Sequence, residues 1–198
     1  MTLKQTPSQT IGPYFAYGLT SEQYGYKLDQ VATGDLLADA GDVDGERIEI
    51  IGRVLDGEGN PVDDAMLEIW QADAQGRYAH PADPRAANSS FKGFGRFGTG
   101  TDLDNRFIFQ TIKPGRVDEN QAPHINVCIF ARGLPSHAYT RIYFSDEVAL
   151  NSNDCVMAGL PEDRRATLIA QRDHISTGTV YRFDIHMQGD LETVIFDV

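Results

Sequence analysis

The 198-residue chain is poor in several features that mark particular classes of protein. No apolar run approaches the roughly 18 residues of a membrane-spanning helix, and the opening MTLKQTPSQT lacks the apolar stretch of a secretory leader. Basic residues number 17 against 29 acidic ones, which gives a net charge of −12. Because such a surface repels nucleic acid and anionic membranes, we expect neither as a partner.

Cysteine is also scarce, with Cys128 and Cys155 as the two in the chain. Two isolated thiols form neither a disulfide framework nor a metal-ligand pattern. We expect both to be reduced thiols in a cytoplasmic protein, with one of them buried in a strand.

What the sequence does contain is the pattern of an all-β domain. RIEIIGRVLD, which begins at Arg47, alternates apolar and polar residues, and DGEGNP supplies turn residues before the returning strand AMLEIWQA. Leu67 and Ile69 should face one side of that strand, and Glu68 and Trp70 the other. Further strand-like segments are RFIFQTI, HINVCIFA, AYTRIYF, VYRFDIHMQ and LETVIFDV. Seven or so short strands predict a β-sandwich.

One segment has the pattern of a helix. PEDRRATLIAQ places Pro161 at a first helical position and acidic residues in the first turn, which predicts one short late helix. Residues 1–46 are irregular and rich in polar residues, proline and glycine. We therefore divide the chain into an N-terminal arm, residues 1–46, that docks on another chain, and a β-sandwich domain, residues 47–198.

Several motifs, taken together, resemble one family. The segments GRVLDGEGNPVDDAMLEIWQADAQGRY, IKPG, APHIN and YTRIYF follow in the order found in intradiol ring-cleaving dioxygenases. The resemblance covers most of the chain from about residue 47 onward. It implies a β-sandwich built around a mononuclear, non-haem Fe(III) that two tyrosines and two histidines hold. Phenolate oxygen and neutral imidazole both suit iron.

The chain departs from that ligand pattern at two of four positions. Tyr78 and His124 match the first tyrosine and the first histidine, but Val117 and Asn126 occupy the positions of the other two ligands. Valine cannot ligate a metal, and an asparagine amide is a poor substitute for imidazole. We expect these four positions to form a vestigial pocket in which Tyr78 and His124 are ordinary hydrogen-bonded residues.

Two neighbouring positions also differ from the catalytic pattern. Gln121 replaces an arginine that precedes the paired histidines, and Arg141 replaces a glutamine. Arg141 would add a positive charge where Fe(III) would sit. We therefore expect no metal and no catalytic residue in this chain.

Ligand loss of this kind resembles the α chains of the family's two-subunit members. TPSQTIGPYF near the N-terminus, HINVCIFARG, and the closing GDLETVIFDV match the α-chain pattern. The resemblance implies that Fe(III) is bound by a partner β subunit and that the substrates are protocatechuate and O2. It also implies a higher-order αβ oligomer.

The same resemblance implies substrate contacts from this chain. Thr10, Gly12, Pro13 and Tyr14 match the α-chain segment that lines the mouth of the β iron site. Arg132 matches an α-chain arginine beside the substrate pocket, where a guanidinium suits the carboxylate of protocatechuate.

Two other readings of the chain stay open at this point. It could be a stand-alone, non-catalytic β-sandwich binding module, although such a module has no need for the TPSQTIGPYF arm. It could also be an active homomeric dioxygenase with altered ligands, which the red-brown colour of Fe(III)–tyrosinate in the pure chain would reveal.

Overall fold

The fold is that of a computed structural model, which describes residues 9–12, 14–38, 40–85, 90–176 and 178–197. Nine strands lie in this part of the chain: β1 (Arg47–Leu55), β2 (Met66–Gln71), β3 (Phe94–Gly98), β4 (Arg106–Ile112), β5 (His124–Phe130), β6 (Ala138–Phe144), β7 (Ile169–Ile175), β8 (Gly178–Arg182) and β9 (Ile185–His186). Short α-helices are α1 (Phe15–Leu19), α2 (Val148–Ser152), α3 (Cys155–Ala158) and α4 (Glu162–Arg165). None of the described helices has the length and hydropathy to cross a membrane.

The strands form two layers that share one narrow seam. Their order is β3-β2-β5-β6-β7-β8-β1-β4, with β9 beside β1. At the seam β6 and β7 pair at two positions, Tyr143 with Ile169 and Phe144 with Ala170. The apolar faces on either side of this seam belong to one core cluster. The predicted β-sandwich is therefore confirmed.

The core is filled by the inward-facing residues of both layers. Leu67 and Ile69 of β2 are buried with Ile50 of β1 and with Phe107 and Phe109 of β4. Each such side chain contributes about 1.5–3 kcal/mol relative to an exposed one. The predicted alternation in β2 is confirmed, since its other face is partly exposed.

The prediction of one short late helix needs correction. Three short α-helices, α2 to α4, lie between β6 and β7, and α1 lies near the N-terminus. The helix predicted from Pro161 is α4, which ends at Arg165. A 3₁₀ turn follows to Leu168, and β7 begins at Ile169. Pairing of Ile169 with β6 and of the following residues with β8 outweighs the helical pattern. LETVIFDV forms no strand among its described residues, where Phe196 makes a single bridge to Tyr139.

Part of the predicted arm packs on the chain's own sandwich. The backbone N–H of Leu36 donates to Gln110 O at 2.9 Å, and that of Gln110 donates to Gly34 O at 2.8 Å. A Cβ at Gly34 would lie 2.6 Å from Ile108 O, so this close approach requires glycine. Residues from about 33 onward therefore cover an edge of the sandwich. Whether the preceding residues contact a partner stays a prediction.

Candidate functional site

The predicted ligand position Tyr78 lies against the outer face of the β2 layer. Its ring stacks on Trp70, with 5.9 Å between centroids and 4° between planes. Asn126 lies opposite Trp70 on the neighbouring strand β5. Its Nδ2 donates to the Tyr78 hydroxyl at 3.0 Å and to Trp70 O at 3.3 Å. Two of the four predicted positions are thus in direct contact.

His124, at the start of β5, is 3% exposed. Its Nδ1 lies 2.9 Å from Ala122 O, and because a carbonyl only accepts, Nδ1 is assigned the proton. Burial lowers the pKa of His124, and the charge of Arg141 lowers it further. The imidazole is therefore held neutral at pH 7.

Arg141 occupies the same face of the sheet, opposite Asn126 on β6. Its Nη1 donates to Gln121 Oε1 at 3.1 Å and contacts the Tyr143 hydroxyl at 3.4 Å. Gln121 and Arg141, the two replacements noted in the sequence, therefore contact each other. Val117, the remaining ligand position, shares with Tyr78 the lining of an open cavity of about 560 Å³.

The donors at these positions do not fit a ferric ion. Val117 has no donor atom, and the Asn126 amide is turned so that its nitrogen donates to Tyr78. Burial raises the pKa of Tyr78, against the smaller opposing effects of Asn126 and Arg141, so a neutral phenol rather than a phenolate is favoured. The Arg141 guanidinium adds a fixed positive charge beside both remaining ligand positions.

The predicted substrate residue Arg132 lies beyond the other end of β5, in the turn toward β6. Its Nε forms an ion pair with Asp64, and its side chain is 55% exposed. In the described part of the chain, neither terminal nitrogen of Arg132 has a partner. The two nitrogens that would make a bidentate contact with a carboxylate thus remain accessible.

The structure brings one residue of the arm to this turn. The Thr10 hydroxyl accepts from the Gly133 N–H at 2.9 Å, and Gly133 has a φ of +88°, which favours glycine. Tyr14 is 78% exposed, and its ring packs on Tyr17 with 6.1 Å between centroids. No hydrogen bond or ring contact joins Gly12 or Tyr14 to Arg132 among the described residues. Pro13 lies outside them.

The two groups of residues are far apart. β5 runs from His124 to Phe130, and six steps of about 3.3 Å place its ends roughly 20 Å apart. Arg132 lies still further along. A small molecule in contact with Tyr78 or His124 cannot also contact Arg132 of the same chain.

Sequence reasoning missed two carboxylates that support these groups. Asp64 holds Arg132 across 68 positions, and no sequence signal links the two. Asp154 is fully buried and accepts from the Ala122 N–H at 2.7 Å, from the Tyr143 hydroxyl, and from two N–H groups at the start of α3. It thereby fixes the segment that leads into His124. An aspartate just before CVMA is an N-cap signal that could have found it.

Comparisons with known proteins agree with this picture. Residues 19–189 match the family model described as Dioxygenase. Over its whole length the chain is 53% identical to the protocatechuate 3,4-dioxygenase alpha chain of Burkholderia cepacia, covering 99% of it. It is 38% identical to the beta chain from that organism, over 73% of this chain and 66% of the relative.

A solved structure supports the fold. The dioxygenase domain of a carbohydrate-binding fusion protein from Streptomyces sp. SirexAA-E has a TM-score of 0.61 at 24% identity, with 96% of this chain and all of that one covered. The family model covers well over half of the sequence, and the relatives agree with it. The chain therefore belongs to the intradiol ring-cleaving dioxygenase family, as its motifs predicted.

Proposed function

We propose that this chain is the α subunit of a protocatechuate 3,4-dioxygenase, which cleaves 3,4-dihydroxybenzoate with O2 to 3-carboxy-cis,cis-muconate. The observation that carries the proposal is the full-length 53% identity to the alpha chain from Burkholderia cepacia. The weaker, partial match to the beta chain supports a partner of related fold. We place the assembly in the cytoplasm as a higher-order αβ oligomer.

The Fe(III) belongs, in this proposal, to the β subunit. Val117 and Asn126 stand where two ligands are expected, and Arg141 contributes a cation beside Tyr78 and His124. These features support the view that Tyr78, Val117, His124 and Asn126 form a vestigial pocket. All bond-making steps are then assigned to the partner.

Arg132 and the N-terminal segment form the part of this chain that meets the substrate. The distance along β5 supports this assignment, because Arg132 cannot reach a molecule in its own vestigial pocket. Its exposed terminal nitrogens are free to serve a site that another chain completes. Thr10 is anchored on the Arg132 turn. Gly12, Pro13 and Tyr14 follow it in the sequence, and we assign them to the same contact with the partner.

The role of Arg132 follows from its chemistry. A guanidinium is charged at every physiological pH and recognises a carboxylate through two parallel hydrogen bonds. Protocatechuate carries a carboxylate that catechol lacks. Arg132 thus orients the acidic substrate and takes no part in breaking bonds.

Co-expression with the β chain tests the division of labour. Each purified fraction, α alone, β alone and the αβ complex, is assayed for iron content and for oxygen uptake with protocatechuate. We expect iron and activity only in fractions that contain β. Stoichiometric iron and red-brown colour in α alone would contradict the proposal and favour an active homomeric enzyme.

A further inference from the structure

Two positions of the chain carry an aspartate followed directly by a glycine, Asp44–Gly45 and Asp56–Gly57. In this dipeptide the backbone nitrogen of the glycine can attack the carboxyl group of the aspartate, because glycine has no side chain to obstruct the approach. The product is a cyclic succinimide. Its formation in a folded protein depends on the freedom of the carboxyl group, and the two positions differ in that respect.

The carboxylate of Asp56 is bound within its own turn. Its Oδ1 accepts from the backbone N–H groups of Glu58 and Asn60, both at 2.9 Å, in the turn that follows β1. These hydrogen bonds, led by that from Asn60, lower the pKa of Asp56 and keep the group ionised. An ionised carboxylate has no hydroxyl group to release as water. Attack by the Gly57 nitrogen therefore requires these hydrogen bonds to open.

Asp44 has no such restraint. It lies with Gly45 in the irregular, exposed segment just before β1. In the described part of the chain, the Asp44 carboxylate forms no hydrogen bond and no ion pair, and the Gly45 N–H has no acceptor. Gly45 has a φ of +125°, and a Cβ there would lie 2.9 Å from the Ala74 Cβ. The fold thus requires the glycine that makes the preceding aspartate reactive.

We propose that Asp44 is a site of spontaneous isomerisation to isoaspartate, which the folded chain permits at Asp44 and suppresses at Asp56. The Gly45 nitrogen loses its proton and bonds to Cγ of Asp44, and the carboxyl hydroxyl leaves with that proton as water. Hydrolysis at the other carbonyl of the succinimide takes up one water and leaves the backbone running through the former side chain. The reaction needs no oxidant, reductant or enzyme. The site goes beyond the proposed function, because it depends on neither iron nor Arg132.

The modification acts on the start of β1. The backbone oxygen of Glu46 accepts from the Lys113 N–H at 2.8 Å. Its carboxylate accepts from the Thr179 hydroxyl at 3.0 Å and pairs with Arg172. Isomerisation adds a methylene group to the backbone just before Gly45. These contacts then have to readjust, so β1 is held less firmly.

The test compares the two dipeptides within one molecule. Trypsin places them on different peptides, residues 28–47 and 54–77. The purified αβ assembly is incubated at mildly acidic pH below its unfolding temperature and then digested. Isoaspartate is counted by enzymatic methylation with labelled S-adenosylmethionine and located by mass spectrometry. We expect about tenfold more isoaspartate in peptide 28–47 than in peptide 54–77, since opening even one hydrogen bond to the Asp56 carboxylate slows the attack by about that factor.

Asp44→Glu is the matched control variant, because glutamate keeps the charge but would have to close a larger, less favourable ring. Its peptide 28–47 should carry no label. In urea, where the turn around Asp56 is lost, the two wild-type peptides should convert at similar rates. Equal conversion in the folded assembly, or no label in peptide 28–47, would overturn the proposal, and unequal conversion in urea would contradict the role of the fold.

The effect on β1 is measured separately. Incubated wild type should unfold at a lower urea concentration than Asp44→Glu incubated in the same way, because only the wild type acquires the longer backbone. Equal midpoints would contradict the expected loosening of β1. Samples that have not been incubated give the reference for each protein.

Discussion

The two ends of β5 differ in what their charged residues contact. At the His124 end, side chains are buried and cross-linked: Asp154 has four donors, and Arg141 lies among neutral partners. At the Arg132 end, one ion pair and one arm hydrogen bond hold an exposed guanidinium. The first arrangement stabilises a fold, and the second leaves a group available to another molecule. Family membership alone would have directed attention to the first end.

The largest effect should come from Asp154. Asp154→Ala removes a buried acceptor and leaves the Ala122 and α3 N–H groups unsatisfied, so we expect a loss of about 3–4 kcal/mol in the free energy of unfolding. Urea denaturation measures it. Asp118→Ala, in the exposed loop that leads into β5, is the matched control and should change stability by about 0.5 kcal/mol or less. Equal losses of stability in the two variants would show that the buried contacts of Asp154 do not stabilise the His124 end.

The next largest effect concerns Arg132. Arg132→Ala in the αβ enzyme should raise KM for protocatechuate by roughly tenfold to a hundredfold and change kcat little, because a charge-assisted contact of about 1.5–3 kcal/mol is made in ground and transition states alike. Steady-state oxygen uptake measures both constants. Catechol, which has no carboxylate, is the control substrate, and its KM should not respond. An unchanged KM for protocatechuate would remove Arg132 from the substrate site.

A smaller effect is expected for Asp64, which we interpret as a positioning residue for Arg132. Asp64→Ala frees the guanidinium, and because exposed ion pairs contribute about 0–1 kcal/mol, KM for protocatechuate should rise no more than about fivefold. Asp64→Asn retains an acceptor for Nε and should restore most of the affinity. If Asp64→Ala raises KM by the same factor in the Arg132→Ala background as in the wild type, Asp64 does not act through Arg132.

The smallest effect is a pH dependence at the His124 end. Burial, aided by Arg141, places the pKa of folded His124 below its unfolded value of 6.5. As pH falls through 6.5 the unfolded chain takes up the proton first, so the free energy of unfolding declines until the folded pKa is passed. His124→Gln should remove this decline and leave the pH dependence of the free energy of unfolding above pH 7 unchanged. Denaturation at a series of pH values compares the two proteins.

Local patterns made much of the sandwich predictable. Alternation in β2 predicted that Leu67 and Ile69 face the core, where both are buried. The motif positions predicted that Tyr78 and Asn126 share one pocket, and the two side chains are hydrogen-bonded. The errors arose where tertiary pairing overrides local preference. Ile169 lies in a segment with a helical pattern, but it pairs with β6, and the residues after it pair with β8. The link between Asp64 and Arg132 spans two distant turns, and no local pattern encodes it.

The stack of Trp70 on Tyr78 has a practical consequence, because Trp70 is the sole tryptophan of the chain. Fluorescence of this polypeptide, excited beyond tyrosine absorption, comes from one indole at the cavity wall. A ligand that enters this cavity alters the emission, whereas binding at Arg132, more than roughly 20 Å away along β5, leaves it unchanged. Tryptophan fluorescence therefore reports on the His124 end of β5 and not on the Arg132 end.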